Sequence, residues 1–383
     1  MTLFSWFFVL YWASPEDPWT RAWVPWVLRR RYKSAARLSS LTSQNCRKTP
    51  RAKPGWRAGW SHLAKTDGLF LHFLLPLGGH GDYTFRAMNT VTVREILALA
   101  KRPTLSLEFF PPKTPLDFGI LGSSIERMRP VRPDFTTCTY GAGGSSRDFS
   151  FAACQLLSKM DFTPVVAHLT CVGATRDDLC AQIDRIYDAG IRNIMALRGD
   201  PPRGETRFIP PQDGLAHASE LVALIKARHP DICCGVAGYP ETHPEALSPA
   251  ADLAFLKAKL DAGADFVNTQ LFFDNDVFFR FRDAAAAAGI SAPILPGLMP
   301  VSSFKQVLRC TEFSNSTVPA ALSEALQAAA TPAEGAAVGI RWIVGQIGSL
   351  IRHGVPGIHL YILNQAKTLL DPQLAAAIAA WHA

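Results

Sequence analysis

The sequence predicts an α/β protein built as a (β/α)8 barrel of the TIM type, with extra helices before the last strand. From residue 103 onward, short apolar runs alternate strictly with longer stretches of helical composition, which is typical of a parallel sheet. Eight such units occupy about 280 residues, the count and length of this barrel.

Strands are predicted where short apolar runs are bounded by turn-forming residues. They are 104–110, 135–139, 164–170, 193–197, 232–237, 266–271, 294–298 and 357–362. Helices are predicted in the amphipathic or alanine-rich stretches between the strands. They are about 116–129, 147–160, 175–189, 213–229, 247–262, 275–288 and 302–313, with extra helices near 318–330 and 333–353. One more helix leads into the first strand from about residue 88, and another follows the last strand.

A doubly wound parallel sheet is the alternative that this alternation leaves open. Such a sheet usually carries a GxGxxG nucleotide-binding motif after its first strand. Here the first strand runs into "FFPPK", residues 109–113, and "GAGGSS", residues 141–146, follows the second strand without the full motif. The barrel is therefore the preferred fold.

Residues 1–87 differ from the rest of the chain in composition. They hold 13 basic and 4 acidic residues, a net charge of +9, whereas the remainder carries −2. They also hold seven of the nine Trp residues and show no sustained helical or strand period. We interpret them as a disordered extension or the product of a start site assigned too far upstream, and residues 88–383 as the catalytic domain.

Charge and cysteine usage exclude several classes of partner. Because the basic pI comes from residues 1–87, the body gives no electrostatic reason to expect nucleic acid. The apolar run 4–12 is too short to span a bilayer. Eight scattered cysteines without a CxxC pair favour buried thiols in a reducing compartment, and no HExxH-type spacing predicts a metal. We therefore expect a cytoplasmic protein without membrane, nucleic-acid or metal partners.

Polar residues follow or end each predicted strand, on the side where this barrel places its active site. In strand order they are Glu108, the segment 139–148, His168 with Thr170, the segment 198–200, Tyr239 with Glu241 and His243, Gln270, Gln306, and Asn364. Taken singly, His168 could be a satisfied core residue, and Arg198 with Asp200 a structural ion pair. Their convergence on one rim favours a functional site.

The residue types indicate the chemistry. Glu108 interrupts an apolar strand, where burial costs several kcal/mol unless the carboxyl is paired or protonated, and burial raises a carboxyl pKa. The segment 141–148, "GAGGSSRD", offers backbone N–H groups to a phosphate, and Arg198 and His243 could hold a pyrophosphate. No GxSxG motif predicts a serine nucleophile. These features favour proton transfer on a bound organic molecule over hydrolysis.

Together the motifs resemble those of the methylenetetrahydrofolate reductase family, from about residue 90 to residue 372. The matching stretches are "SLEFFPPKT", "TTCTYGAGGSSRD", "AHLTCVG", "ALRGDPP", "GYPETHPEA", "LKAKLDAGADFVNTQLFFD" and "PGLMPVSSFKQ". The resemblance implies an FAD-containing barrel in which NADH or NADPH reduces the flavin and leaves. On the same flavin face, 5,10-methylenetetrahydrofolate is then reduced to 5-methyltetrahydrofolate, which feeds methionine synthesis and one-carbon metabolism. It also implies a homo-oligomer.

The resemblance assigns roles to individual residues. Glu108 is implied to be the general acid that delivers a proton towards N10 as the folate ring opens, and Asp200 to support the resulting cation near the flavin. The implied substrate-binding residues are Asp200, Gln270, Gln306 and Gln365. The implied FAD-binding residues are Thr139, Tyr140, Ala142, His168, Arg198, Gly199, Asp200, Ala218, Tyr239, His243, Asp252 and Lys259.

Four positions depart from the family pattern. Phe255 and Ala258 stand where bacterial members often have Asn and Arg near the FAD, Cys310 where a stacking Phe is common, and Gln365 where an Arg helps bind folate. Two alternatives therefore stay open: a related flavin reductase with an altered substrate, or a non-catalytic flavin-binding homologue. The chain ends at Ala383 without the regulatory domain of eukaryotic members, so a bacterial-type enzyme is expected.

We expect a chain that begins at Met88 to fold, bind FAD and turn over normally, because residues 1–87 have a separate charge balance and no structural period. Flavin content, melting temperature and turnover of the shortened and full chains should agree. Loss of soluble, FAD-loaded protein on shortening would show that the first segment is needed.

Overall fold

The protein is described by a computed structural model over residues 90–140, 147–160, 163–200, 208–362 and 364–382. The predicted extension, residues 1–87, lies outside the described residues, and its interpretation stays a prediction.

Strands and helices alternate as the sequence predicts. The strands are β1 (Thr104–Phe109), β2 (Phe135–Cys138), β3 (Val165–Thr170), β4 (Asn193–Leu197), β5 (Cys233–Gly238), β6 (Phe266–Thr269), β7 (Ile294–Leu295), β8 (Gly297–Leu298) and β9 (Gly357–Tyr361). The first helices are α1 (Val93–Leu99), α2 (Asp117–Met128), α3 (Arg147–Lys159), α4 (Arg176–Asp188), α5 (Ala218–Arg228) and α6 (Pro249–Asp261). The later helices are α7 (Asn275–Ala287), α8 (Phe304–Ser314), α9 (Ala320–Ala328), α10 (Pro332–Arg352), α11 (Ala366–Leu369) and α12 (Pro372–His382). A short 3-10 turn, Arg129–Val131, follows α2.

The sheet closes into a barrel. In the described part of the chain the nine strands pair in the order β7-β6-β5-β4-β3-β2-β1-β9-β8, and every pair is parallel. The predicted strand 294–298 is present as two halves, β7 and β8. Because β7 pairs with β6 and β8 pairs with β9, these halves join the two ends of the sheet. The predicted (β/α)8 fold, with extra helices α9 and α10 before the last strand, is confirmed.

Pro296 divides the predicted strand because proline has no N–H to donate to a neighbouring strand. Hydrogen bonds on either side of Pro296 still hold this junction, the seam of the barrel, closed. The Pro296 carbonyl accepts from the His359 backbone N–H at 2.9 Å, and the Gly297 N–H donates to Thr269 Oγ1 at 2.9 Å. The seam therefore fixes the backbone of His359 against its neighbouring strand.

Helix α1 closes the amino-terminal end of the barrel. Thr92 and Glu95 form a reciprocal capping box, and the Val93 N–H donates to Asn193 Oδ1 at 2.7 Å. Val93 packs in one cluster with strand side chains; these are Phe135, Val166, Met195, Cys233, Phe266 and Leu295. Because apolar side chains fill this end, a ligand site belongs at the carboxyl end of the strands.

Helix α5 begins five residues later than the predicted 213–229. Glu220 Oε2 accepts from the backbone N–H groups of Ala216 at 2.7 Å and His217 at 2.9 Å, which caps the helix there. Asp213 has a φ of 63°, a left-handed conformation that an α-helix does not contain. The predicted start at residue 213 is therefore wrong.

The cysteines of the described residues are all free, and all but Cys180 are buried. Burial raises the pKa of Cys171 and of Cys234 to about 12, so these thiols stay protonated at neutral pH. The expectation of buried thiols is thus met for these positions. In the same part of the chain, no helix has the length and apolarity that crossing a membrane requires.

Helix α10 packs against the segment that follows β8, and two glycines in it provide a matched test. A Cβ at Gly339 would lie 1.6 Å from the Val301 carbonyl oxygen, whereas a Cβ at Gly345 would meet nothing within 4 Å. We expect Gly339→Ala to lower the free energy of unfolding by about 3 kcal/mol, the upper end of ordinary overpacking. Gly345→Ala should raise it by about 0.5–1 kcal/mol, since alanine favours a helix.

Urea unfolding of both variants measures the difference. Equal stabilities would show that the helix does not approach Val301 as closely as described. The contact bears on the predicted site because Val301 leads directly into Ser302 and α8, which carries Gln306.

Candidate active site

Side chains from four strands meet around Glu108, at the carboxyl end of the barrel. Its Oε2 lies 3.5 Å from Nε2 of His359 and 3.6 Å from Nε2 of His168. Thr137 Oγ1 donates to the same oxygen at 3.3 Å, and Ser106 Oγ lies 2.9 Å from Nδ1 of His359. All five residues are buried. The strand register places them together, since β1 pairs with both β2 and β9.

The imidazoles reverse the pKa shift that the sequence predicts for Glu108. Burial raises the pKa of this carboxyl, but His359 and His168, with the Thr137 hydroxyl, lower it more, so the pKa lies below its usual value. The expected raised pKa is therefore wrong for this geometry. Burial lowers the pKa of His168 to about 4, so His168 is neutral near pH 7. We conclude that the carboxylate is ionised at neutral pH and that its compensation comes mainly from His359.

The Ser106, His359 and Glu108 side chains form a connected line, which we call the acid line. If Ser106 donates to Nδ1 of His359, the neutral imidazole carries its proton on Nε2, facing Glu108. Among the described residues, this Nε2 has no partner within normal hydrogen-bond distance. The acid line can therefore hold the Glu108 carboxylate by an N–H group that faces it from the barrel interior.

Sequence reasoning did not identify Ser106, Thr137 or His359. A signal exists in retrospect. Ser106 and Glu108 are two residues apart in β1 and so point to the same face, and His359 pairs with Ser106 in register. The sequence does not reveal that register, because it depends on the pairing of β1 with β9 that closes the barrel.

A second group of predicted residues lies at the ends of β4 and β5. Arg198 makes a bidentate ion pair with Glu245, with Nη2 to Oε1 at 2.8 Å, and the guanidinium is less than a quarter exposed. Tyr239 packs edge-on against His243, with ring centroids 4.6 Å apart. Burial, then the charges of Asp200 and Asp252, raise the pKa of Tyr239 to about 12, so it remains a hydrogen-bond donor.

Helix α6 adds two charged residues to this second group. Asp252 accepts from the His243 backbone N–H at 2.9 Å, and Lys259 Nζ donates to the Ala237 carbonyl at 2.5 Å. Burial lowers the pKa of Lys259 to about 8, opposed by Asp252, so its charge persists at neutral pH. Arg198 and Lys259, with the His243 ring, give this side of the rim the donors that an anionic ligand needs.

Glycine 199 keeps the backbone at the end of β4 in a conformation that side chains rarely adopt. Its φ is +88°, and a Cβ there would lie 2.8 Å from Val172 Cγ2 and 3.0 Å from Thr170 Cβ. The chain can therefore turn sharply between Arg198 and Asp200. Asp200 itself is exposed at the rim.

The predicted residues of β2 lie beside a third feature, a cleft between α3 and α4. The Thr139 carbonyl accepts from Ser150 Oγ at 2.7 Å, and the Tyr140 hydroxyl donates to Gln182. Tyr140, Gln182 and His168 line this cleft of about 280 Å³. His168 therefore connects the surroundings of Glu108 with those of Tyr140. Ala142 lies outside the described residues, and its predicted role stays a prediction.

The remaining predicted residues have local partners in this structure and are not joined to either group. Gln270 Oε1 accepts from the Leu271 N–H at 2.9 Å, and Gln306 Oε1 accepts from the Ser302 N–H at 2.9 Å. Gln365 is exposed at the start of α11, and Ala218 opens α5. Their predicted contacts with ligands stay predictions.

The two groups divide the chemistry of the rim. In the acid line, the Glu108 carboxyl can take up and give a proton at a site largely shielded from water, where electrostatic interactions are strong. The second group offers cations, a tyrosine hydroxyl and a tight glycine turn, which suit a phosphate-bearing ligand. The arrangement suits a large ligand that binds by its phosphates and reacts beside Glu108.

Comparison with known proteins identifies relatives along most of the chain. The sequence model described as methylenetetrahydrofolate reductase matches residues 92–371. The 5,10-methylenetetrahydrofolate reductase of Escherichia coli is 39% identical over 264 residues, covering 69% of this chain and 87% of the relative. Methylenetetrahydrofolate reductase (NADH) 1 of Arabidopsis thaliana is 37% identical over 276 residues, 69% of this chain and 47% of the relative. The chain thus spans about half the length of the plant relatives it matches.

A solved structure supports the fold alone. It is that of a Clostridium thermocellum protein that binds two copies of 5-methyl-5,6,7,8-tetrahydrofolic acid. The likeness has a TM-score of 0.55 at 15% identity and covers 76% of this chain and 99% of the other.

The pairing of Glu108 with His359 predicts a specific pattern of stabilities. His359→Leu should lower the free energy of unfolding at neutral pH by about 3–5 kcal/mol, because it leaves a buried carboxylate with less compensation. Adding Glu108→Gln to that variant should recover most of the loss, since a neutral amide needs no counter-charge. Glu108→Gln alone should change stability little.

The sign of the pH dependence provides a second readout of the same pair. Since the folded pKa of Glu108 is below its unfolded value, the stabilisation is present near neutral pH and is lost as pH falls through the folded pKa. Urea unfolding of the four proteins, wild type included, measures the cycle. Additive effects of the two changes would show that the side chains are not coupled.

Proposed function

The chain belongs to the methylenetetrahydrofolate reductase family, and on that premise we propose that it is an FAD-dependent oxidoreductase that reduces 5,10-methylenetetrahydrofolate to 5-methyltetrahydrofolate. NADH or NADPH is the proposed reductant, and the two substrates use one site in turn. The observation that carries the proposal is the acid line: a carboxylate inside the barrel mouth, backed by an imidazole and a hydroxyl. A protein that only bound a flavin would have no use for it.

The residues at the ends of β4 and β5 fit FAD. A dinucleotide cofactor needs cations and a close backbone approach at its pyrophosphate, and Arg198, His243, Lys259 and the Gly199 turn provide them. His168, whose Nε2 is buried without a hydrogen-bond partner, would hold the isoalloxazine end. When bound, FAD supplies a flat ring that accepts a hydride from the nicotinamide and gives it to the folate.

Arg198 has to exchange partners for this role. Its guanidinium is held by Glu245, whose side chain is half-exposed and can turn into solvent. A pyrophosphate accepts the same bidentate contact and as a whole carries more negative charge than one carboxylate, so it can take the place of Glu245. Glu245 thereby keeps the guanidinium oriented before the cofactor binds.

Glu108 is proposed to act on the folate half of the reaction. Opening the five-membered folate ring needs a proton at N10, and Glu108 is the carboxyl placed inside the mouth. Without substrate, His359 and His168 face Glu108 and lower its pKa, so the carboxyl is ionised. It therefore has to gain a proton during the catalytic cycle before it can act as an acid. A flat substrate that covers the mouth increases the burial of Glu108, which favours the protonated form, so the carboxylate takes up a proton from solvent as the mouth is covered.

Rim residues are proposed to orient the folate. Asp200 is exposed at the rim and carries a negative charge where the opened folate becomes cationic. Gln270 and Gln306 present amide groups that can exchange their local partners, Leu271 N–H and Ser302 N–H, for a pterin edge. Gln365 offers the folate a neutral contact in place of a charged one, so it weakens the affinity for folate without abolishing folate binding. A cytoplasmic homo-oligomer completes the proposal on family grounds alone.

Two additions to the purified full chain test the function. We expect a flavin absorption band that NADH or NADPH bleaches without oxygen and that 5,10-methylenetetrahydrofolate then restores, with 5-methyltetrahydrofolate as product. Tetrahydrofolate, which lacks the methylene bridge, serves as the control and should not restore the band.

Each failure has a distinct meaning. A flavin that is bleached by the nicotinamide but not restored by the folate would indicate a flavin reductase with another substrate. A bound flavin that neither addition changes would indicate a non-catalytic binder, and a chain without flavin would contradict the proposal altogether.

A further inference from the structure

Helix α6 presents one face to the second group of the rim. Asp252 and Lys259 are seven residues apart, two turns of helix, and each contacts the end of β5 or the loop after it. Phe255 is three residues after Asp252 and four before Lys259, so its side chain projects from the same side of the helix. This face therefore carries an aromatic ring between an acidic and a basic residue.

Phe255 is largely uncovered. It is 59% exposed, whereas the adjacent Leu256 is 2% exposed in the core. One helical turn further, Ala258 is exposed and has only a methyl group, so it does not shield the phenyl ring. The phenyl ring thus offers a flat apolar face next to the charged groups that we propose hold the pyrophosphate.

The order of the strands gives the direction in which a bound dinucleotide extends. The reacting ring has to lie near Glu108 on β1, while Arg198 at the end of β4 and Lys259 beside β5 suit the pyrophosphate. These positions follow the rim from β1 towards β5. The nucleoside end, beyond the pyrophosphate, then reaches α6.

We propose that Phe255 stacks on the adenine ring of the dinucleotide cofactor and sets the preference of this protein for FAD over FMN. The inference rests on the function proposed above. A phenyl face binds any flat base through dispersion and π contacts without hydrogen-bond readout, which suits a ring that needs only to be held. FMN ends at its phosphate and does not reach Phe255.

The test compares the release of two cofactors. The full chain and each variant are loaded with FAD or with FMN and diluted, and the flavin fluorescence that returns on release gives the dissociation constants. Phe255→Ala should weaken FAD binding by roughly 5- to 100-fold, the range for loss of one base stacked on an aromatic ring, and leave FMN binding unchanged. Phe255→Leu keeps apolar bulk without a ring and should lose most of the same FAD affinity.

Leu99→Ala is the matched control. Leu99 is also a large exposed apolar residue, at 79%, but it lies on α1 at the closed end of the barrel. It should change neither dissociation constant.

The outcomes separate this inference from the proposed function. If wild type binds FAD but Phe255→Ala binds both flavins as wild type does, the stacking is wrong and the proposed function stands. Equal weakening of FAD and FMN would also overturn it, since the effect would not be on the adenine. An unchanged preference together with a changed mass in solution would identify Phe255 as a contact between copies of the chain. A wild-type chain that binds neither flavin would overturn both proposals.

Discussion

The carboxylate of Glu108 inside the barrel mouth is the feature on which the rest of the site depends. A buried charge is tolerated only where other groups compensate it, and here those groups come from β2, β3 and β9 as well as β1. No local segment of the chain could supply them. The compensation exists only when the parallel strands close into a barrel, so the same closure that stabilises the fold assembles the acid line.

The seam of the barrel is where fold and site meet most directly. Pro296 separates β7 from β8, yet its carbonyl still accepts from the backbone N–H of His359. That bond fixes the backbone of His359, while Ser106 orients Nδ1 of its ring. On the other side of the mouth, Arg198 and Lys259 are held by Glu245 and Ala237. The two groups, which we propose handle a proton and bind phosphates, are thus positioned by separate contacts, which suits a site that keeps a cofactor while exchanging substrates.

Much of this architecture is predictable because period and spacing are local properties of a sequence. The alternation of strands and helices predicted the barrel, and the polar residues at the strand ends placed Glu108, Arg198 and His243 at its rim. The break at Pro296 shows the limit, since an apolar run does not reveal how a missing N–H divides a strand. The pKa of Glu108 was predicted in the wrong direction because sequence reveals burial but not the imidazoles that register brings alongside. His359 was missed for the same reason. Phe255 is visible in the sequence, but its exposure is not.

We propose that Glu108 is the source of the proton for the folate and takes no part in reducing the flavin. Stopped-flow measurement of the two half-reactions of Glu108→Gln, each followed at the flavin absorption band, tests this claim most directly. Flavin reduction by NADH or NADPH should stay within a few-fold of wild type. Reoxidation by 5,10-methylenetetrahydrofolate should fall by about 10²–10⁴, the usual loss when a positioned general acid is removed. Equal losses in both half-reactions would show that Glu108 only supports the site, and no loss in either would place the acid elsewhere.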